Sequence, residues 1–288
     1  MSYKVSCITV LSLAAICFLS SCLREDEEVS FYKFEIRYDE HKLTTLDLFT
    51  APLPFINPAP IVLFIHGGGW CSGDKTEWTA RHAEIFVKQG FLCASINYRL
   101  SSLDDQQHSI THPIHVRDIA KAIAWIQSNV SSYGGNPQKM ILVGHSSGAH
   151  LAALAALNQK YLQAEGVDIE NIKQVFLLDA SSYLNSDQYM PDYLIPYFRA
   201  ATGNSNPLML SDFIPLNHLI EYDRFPRFIM VTSSDEYRVS SNAFFTDRLK
   251  SQGLDAALYS VDIQDHYAVL TSFPYYSELN CIDLIDLN

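Results

Sequence analysis

The pentapeptide Gly144-His145-Ser146-Ser147-Gly148 constrains this chain more than any other feature. It follows the apolar run Met140–Val143 and opens the Ala/Leu-rich run Ala149–Leu157. Composition alone would place a G-x-S-x-G pattern in roughly one chain in ten to twenty of this length, so the flanks carry the weight. A strand, a turn with little room for side chains and then a helix make a nucleophile elbow, which holds its serine exposed on a strained backbone. The two glycines permit that backbone, and the positive end of the following helix favours the negative charge of an attacking alkoxide. Ser146 is therefore the candidate nucleophile, and His145 beside it reads as a packing residue.

A second motif, His66-Gly67-Gly68-Gly69-Trp70, comes directly after the apolar run Ile61–Ile65. Consecutive glycines leave backbone N–H groups uncovered, and acyl transfer needs such donors fixed in advance around the developing oxyanion. Gly68 and Gly69 are assigned this role, with Gly67 as a further candidate and the amide of Ser147 as the elbow's contribution. A serine nucleophile also needs a base and an acid to orient it, in the chain order Ser, Asp/Glu, His for a strand–elbow–helix site of this kind. Of the later histidines, His218 falls in an irregular stretch and His266 follows the last strand, so His266 is the expected base. Asp235, a short polar turn after the run Phe228–Val231, is the expected acid; Glu236, Asp262 and Asp265 are its neighbours and rivals. Asp235 and His266 both fall at the C-terminal ends of strands, on the edge that carries Ser146.

Compact apolar runs at Ile61–Ile65, Phe91–Ile96, Met140–Val143, Val175–Leu178, Phe228–Val231 and Ala256–Val261 suit strands covered on both faces. Helical stretches are expected at about 76–89, 113–129, 147–158 and 242–252. Alternation of polar and apolar residues at Tyr32–Tyr38 and Leu46–Leu48 predicts a half-exposed hairpin ahead of them. Eight strands with antiparallel pairing only at the start, and helices on both faces, is the α/β-hydrolase fold. The stretch 181–226, rich in Tyr, Pro, Asn and Asp, breaks the rhythm and is expected to be a small cap insertion that shapes the substrate pocket.

The first 22 residues are a different material. A lone Lys4 precedes an apolar run from Val10 to Leu19 that is too short to span a bilayer comfortably. It ends in Leu19-Ser20-Ser21-Cys22, which resembles the lipobox of bacterial lipoproteins. The expectation is a signal peptide over 1–22, lipid attachment at Cys22, an acidic tether over 23–30 and a catalytic domain over 31–288, exported and anchored at the bacterial cell envelope. Cys71, Cys93 and Cys281 then remain in the domain as small buried hydrophobes.

A formal charge of −12 argues against nucleic acid or an anionic membrane surface as ligand, leaving the lipid anchor as the membrane contact. The spacing of His108, His112 and His115 suggests a metal, but Pro113 interrupts a helix through all three and no carboxylate or cysteine completes a set. No metal and no cofactor is expected.

With these motifs in hand the chain resembles a known group. His66–Trp70, Asn97-Tyr98-Arg99-Leu100, His112-Pro113 leading to Asp118, Tyr133-Gly134-Gly135-Asn136-Pro137 and Gly144–Leu151 resemble the hormone-sensitive-lipase-like branch of α/β-hydrolases. The run Gly144–Leu151 looks most like bacterial feruloyl/acetyl esterase-type proteins and kynurenine formamidases, and Asp265-His266-Tyr267 resembles the surroundings of their catalytic histidine. Ser147 stands where the group usually has alanine, and Thr232 replaces a frequent glycine before the acid. The resemblance implies hydrolysis of acyl or aryl esters through an acyl-enzyme on Ser146, the ester being a small molecule or a group on a polymer. An aryl-formamide amidase is the alternative, and a non-catalytic envelope binding protein a more distant one. The cap matches the group only loosely, through Asp179–Leu184 and the Pro215–His218 region, so substrate choice is not inherited.

Overall fold

The computed structural model describes residues 31–52, 57–78, 80–104, 109–181, 183, 191–204, 210–219 and 221–288. The leader, Cys22, the acidic tether, His108 and parts of the stretch 181–226 lie outside the described residues.

Eight strands form one sheet: β1 (Tyr32–Arg37), β2 (Thr45–Thr50), β3 (Ala59–Ile65), β4 (Leu92–Ile96), β5 (Gly135–His145), β6 (Ile172–Leu178), β7 (Arg227–Thr232) and β8 (Ala256–Ser260). Their spatial order is β1-β2-β4-β3-β5-β6-β7-β8. β1 pairs with β2, and β2 with β4, antiparallel; all later neighbours are parallel. Every residue of β4 is buried, as are Ile61 to Ile65 of β3, so both faces of the central sheet are covered. That is why these strands read as unbroken apolar runs, whereas β1 at the edge leaves Tyr32 and Phe34 exposed.

Among the described residues seven α-helices accompany the sheet: α1 (Ala80–Lys88), α2 (Ile114–Asn129), α3 (Ser147–Leu157), α4 (Lys160–Ala164), α5 (Ile195–Thr202), α6 (Glu236–Ser251) and α7 (His266–Ser272). All eleven residues of α3 are buried, and its Ala-rich sequence lets it lie close against β5 and β6 on the elbow's far side. α2 turns Val116, Ile119, Ala120 and Ile123 inward. Its buried Asp118 accepts hydrogen bonds from the backbone N–H and Nε of Arg99, at 3.0 and 2.8 Å, which ties the exit of β4 to this helix.

Aspartate caps set the starts of α6 and α7. α6 begins at Glu236, six residues earlier than the apolar pattern suggests, because Asp235 caps it: its Oδ1 accepts the N–H of Arg238 at 3.0 Å. α7 starts at His266 itself and is capped by Asp265, whose Oδ1 accepts the N–H of Ala268 at 2.7 Å.

The described part of 181–226 is no separate layer. Phe198 of α5, with Phe213, Ile214 and Leu216 from two short 3-10 turns, joins the main hydrophobic core. Asp212 fastens this stretch from outside, with Nε2 of His112 2.9 Å from its Oδ2 and Nδ2 of Asn158 2.9 Å from its Oδ1.

Candidate active site

The parallel strands bring their C-terminal ends to one edge, and the loops after β3, β5, β6 and β8 deliver His66–Trp70, Ser146, Asp179 and His266 there. Ser146 has φ 54° and ψ −120°, a conformation that non-glycine residues adopt only where their surroundings impose it. Here its N–H donates to the carbonyl of Leu178 at 2.9 Å, while its own carbonyl receives Ala149 and His150 of α3. The elbow glycines are required by contact. A Cβ on Gly148 would lie 2.2 Å from the carbonyl oxygen of Ile65, and one on Gly144 would lie 2.4 Å from that of Gly148. Any side chain at either place would drive the helix off the sheet.

His266 stands beside a carboxylate, but not beside Asp235. Nδ1 of His266 lies 2.6 Å from Oδ2 of Asp179, the residue that follows β6. Asp235, expected in this role, caps α6 instead, and its carboxylate is spent on the N–H of Arg238. Asp179 is fully buried; its Oδ1 accepts the N–H of Ser233 at 2.7 Å and the hydroxyl of Thr232 at 3.3 Å. Arg238 stands beside it, with Nε 3.5 Å from Oδ2 and a guanidinium N–H donated to the Asp179 carbonyl at 2.5 Å. Burial pushes the carboxyl upward, but the bond to His266 and the charge of Arg238 outweigh it, and Asp179 is held below the usual carboxylate range. An ionised carboxylate only accepts, so Nδ1 of His266 carries the proton and Nε2 presents its lone pair.

His145 packs rather than reacts. Its ring lies 4.4 Å from that of His266 between centroids, and its Nε2 is 3.1 Å from the His266 carbonyl. Burial pushes its pKa down to about 3, so it is a neutral ring that donates Nε2–H to that carbonyl and shelves the base.

The glycine turn after β3 is braced from two sides. Tyr98 stacks on His66 at 4.3 Å and donates its hydroxyl to the His66 carbonyl at 3.1 Å. The Ser147 hydroxyl engages Tyr98 and accepts the N–H of Trp70 at 3.2 Å. This is what the serine adds where alanine is usual: it stitches the elbow to the turn opposite. Trp70 thereby loses its N–H to Ser147, whereas among the described residues neither Gly68 nor Gly69 donates its N–H to a protein acceptor.

Ser146, Ser147, Gly68, Gly69 and His266 line one cavity of about 250 Å³, with Tyr193, Leu194, Tyr197, Arg238 and Tyr267 among its other walls. Among the aromatics of the insertion, Tyr193 and Tyr197 reach this cavity, Tyr183 and Phe198 are buried in the core, and Tyr189 lies outside the described residues. A larger groove of about 730 Å³ sits at the opposite ends of β6 and β7, beside Arg224, Arg227 and Asp255, and contains no such constellation. His112 and His115 go to separate partners, Asp212 and Ser101, and among the described residues no group of three or more His, Cys, Asp or Glu could hold a metal ion. Cys93 and Cys281 are buried and Cys71 is half-buried, all as free thiols.

A strained serine that shares a cavity with a carboxylate-held imidazole and uncommitted amides has the arrangement of a serine hydrolase, and the sheet that carries it is the α/β-hydrolase fold. The comparisons agree. Residues 46–182 match the BD-FAE family model. The chain is similar to the esterase LipQ of Mycobacterium tuberculosis, 27% identical over 73% of this chain and 50% of that protein. It is also similar to the probable isoprenylcysteine alpha-carbonyl methylesterase ICMEL1 of Oryza sativa subsp. japonica, 28% identical over 88% of this chain and 63% of that one. It thus spans between about half and two thirds of these two relatives' lengths. Among solved structures, an inhibited esterase B from Lactobacillus rhamnosis superposes with a TM-score of 0.70 at 21% identity, over 94% of this chain and 90% of that one, a likeness of fold.

Arg238, the Ser147 hydroxyl and Asp179 are the site residues that sequence reasoning missed. For Asp179 a signal existed: it is a carboxylate placed directly after the apolar run Val175–Leu178.

Proposed function

We propose that this protein is a carboxylester hydrolase that works through an acyl-enzyme on Ser146. The observation that carries the proposal is the 2.6 Å contact between His266 and Asp179 at the mouth of the elbow, which fixes the tautomer a general base needs. Nε2 of His266 takes the Ser146 proton as Oγ attacks the ester carbonyl carbon. The carbonyl oxygen becomes an oxyanion, received by the N–H groups of Gly68, Gly69 and Ser147. The tetrahedral intermediate collapses, the bond to the alcohol oxygen breaks, and the imidazolium returns its proton to that oxygen. Water, deprotonated by the same nitrogen, then attacks the acyl-enzyme and releases the acid and free Ser146. The esterase names of LipQ and of the rice methylesterase support the ester as substrate class.

The test is hydrolysis of p-nitrophenyl acetate and butyrate by the full chain beside Ser146→Ala. Turnover lost in the variant is expected; turnover of equal rate in both, or none in either, would overturn the proposal. Including a formyl anilide separates an amidase from an esterase.

Export and lipid anchoring at Cys22 form a second part of the proposal, supported by Leu19-Ser20-Ser21-Cys22 and the acidic run after it. Metabolic labelling with a clickable palmitate in a bacterial host is expected to mark the wild type and not Cys22→Ala. An unlabelled wild type in the soluble fraction would contradict it.

A further inference from the structure

The attack on the ester fixes where each half of the substrate lies. The alcohol oxygen has to meet Nε2 of His266 to leave, so the alcohol extends past His266 and its neighbour Tyr267, which is 57% exposed. That side opens to solvent. The carbonyl oxygen points to the glycine turn, and the acyl chain takes the remaining direction, away from His266. The insertion brings Leu194 and Tyr197 into the lining of the same cavity, and Tyr197 lies against Gly69.

Tyr197 is pressed against the turn that receives the oxyanion. A methyl group built on Gly69, which has φ 60°, would lie 2.5 Å from Cδ1 of Tyr197. The ring is not a loose flap, because the next residue, Phe198, is buried with its ring 4.9 Å from that of Trp70. Trp70 in turn packs on Phe213, which lies 4.4 Å from the ring of His150 in α3. α5 is thus bolted through Trp70 to the glycine turn and through Phe213 to the elbow helix. The whole cavity, at about 250 Å³, falls below the ~300 Å³ at which small-molecule pockets ordinarily begin.

We infer that Tyr197 and Leu194 close the acyl end of this cavity and restrict the enzyme to short acyl groups, while leaving the alcohol side open. This rests on the hydrolase reading above. The two side chains are specificity-determining walls and take no part in proton transfer.

The experiment compares kcat/KM for p-nitrophenyl acetate, butyrate, hexanoate and octanoate in the wild type, Tyr197→Ala and Leu194→Ala, with thermal melting to verify folding. The wild type is expected to favour acetate and butyrate. Each variant should raise the octanoate-to-acetate ratio of kcat/KM by roughly tenfold or more. Leu194, half-buried at the rim, keeps the test open if Tyr197→Ala does not fold. An unchanged chain-length profile in a folded variant would overturn the inference and leave the esterase reading standing. So would an equal loss on all four esters in Tyr197→Ala, which would make the ring a support for Gly69 rather than a wall. A wild type inert toward every ester brings down the hydrolase reading and this inference with it, before any variant is made.

Discussion

His266 and Asp179, 87 residues apart in the chain, meet at 2.6 Å between Nδ1 and Oδ2. The contact crosses from the loop after β8 to the end of β6, passing over β7. The N-terminal part of α6 secures its far side: Arg238 donates to the Asp179 carbonyl, and Asn242 donates Nδ2–H to that of Ala180 at 2.6 Å. Asp235 enters the same assembly as the cap of that helix.

That division of labour separates two substitutions. Asp179→Asn is expected to lower kcat on a p-nitrophenyl ester by on the order of a thousandfold or more, since an amide can hold the wrong tautomer of His266. Asp235→Ala should leave kcat within about tenfold and lower stability by about 1 kcal/mol, the usual loss for an N-cap. Kinetics and chemical denaturation of the two variants check this; the reverse pattern would restore Asp235 as the acid.

The Ser147 hydroxyl accepts the Trp70 N–H and engages Tyr98, and the proposed mechanism gives its amide to the oxyanion. Ser147→Ala keeps the amide and loses the stitch. The expected result is a fall in kcat of no more than roughly tenfold with KM little changed. A loss of several hundredfold would mean that the hydroxyl itself serves the oxyanion.

Acid should unfold this protein through its buried histidines. Desolvation lowers His66 to about 4 and His115, His145 and His150 to about 3. The unfolded chain takes up these protons near the free value of about 6.5, so below that pH the unfolded state binds more protons and stability falls as pH falls. Asp179, whose carboxyl is held low in the fold, adds a further loss below about pH 4. Melting curves should give a Tm that is level above about pH 7 and declines steadily from about 6.5 to 4. A constant Tm across that interval would contradict the assignment of these rings as neutral and buried.

Much of this was legible in the sequence because it is local. The buried strands announce themselves as apolar runs, and β5, the turn at Ser146 and α3 follow from one short stretch of glycine, serine and alanine. His266 was singled out by its place after the last strand. The acid was not, because two carboxylates stood at equivalent strand ends and the choice depended on which was already taken. Asp235 lies three residues before an N–H that needed a cap; Asp179 lies in a buried bend, φ 49°, where Ser233 and Arg238 converge from distant parts of the chain. The start of α6 was missed for a related reason. Its first turns read Glu-Tyr-Arg-Val-Ser-Ser, a poor helical pattern that packs against the Asp179–Ser181 segment through Tyr237, Arg238 and Asn242. In both places tertiary contacts decided what local pattern could not.

The central claim is that Ser146 is a nucleophile activated by His266, and active-site labelling tests it most directly. Intact mass spectrometry with a fluorophosphonate should show one adduct on the wild type, mapped by peptide digestion to Ser146. His266→Ala should label slower by on the order of a hundredfold or more, and Ser146→Ala not at all. A folded wild type that takes no label, or a label that persists in Ser146→Ala, would contradict the account.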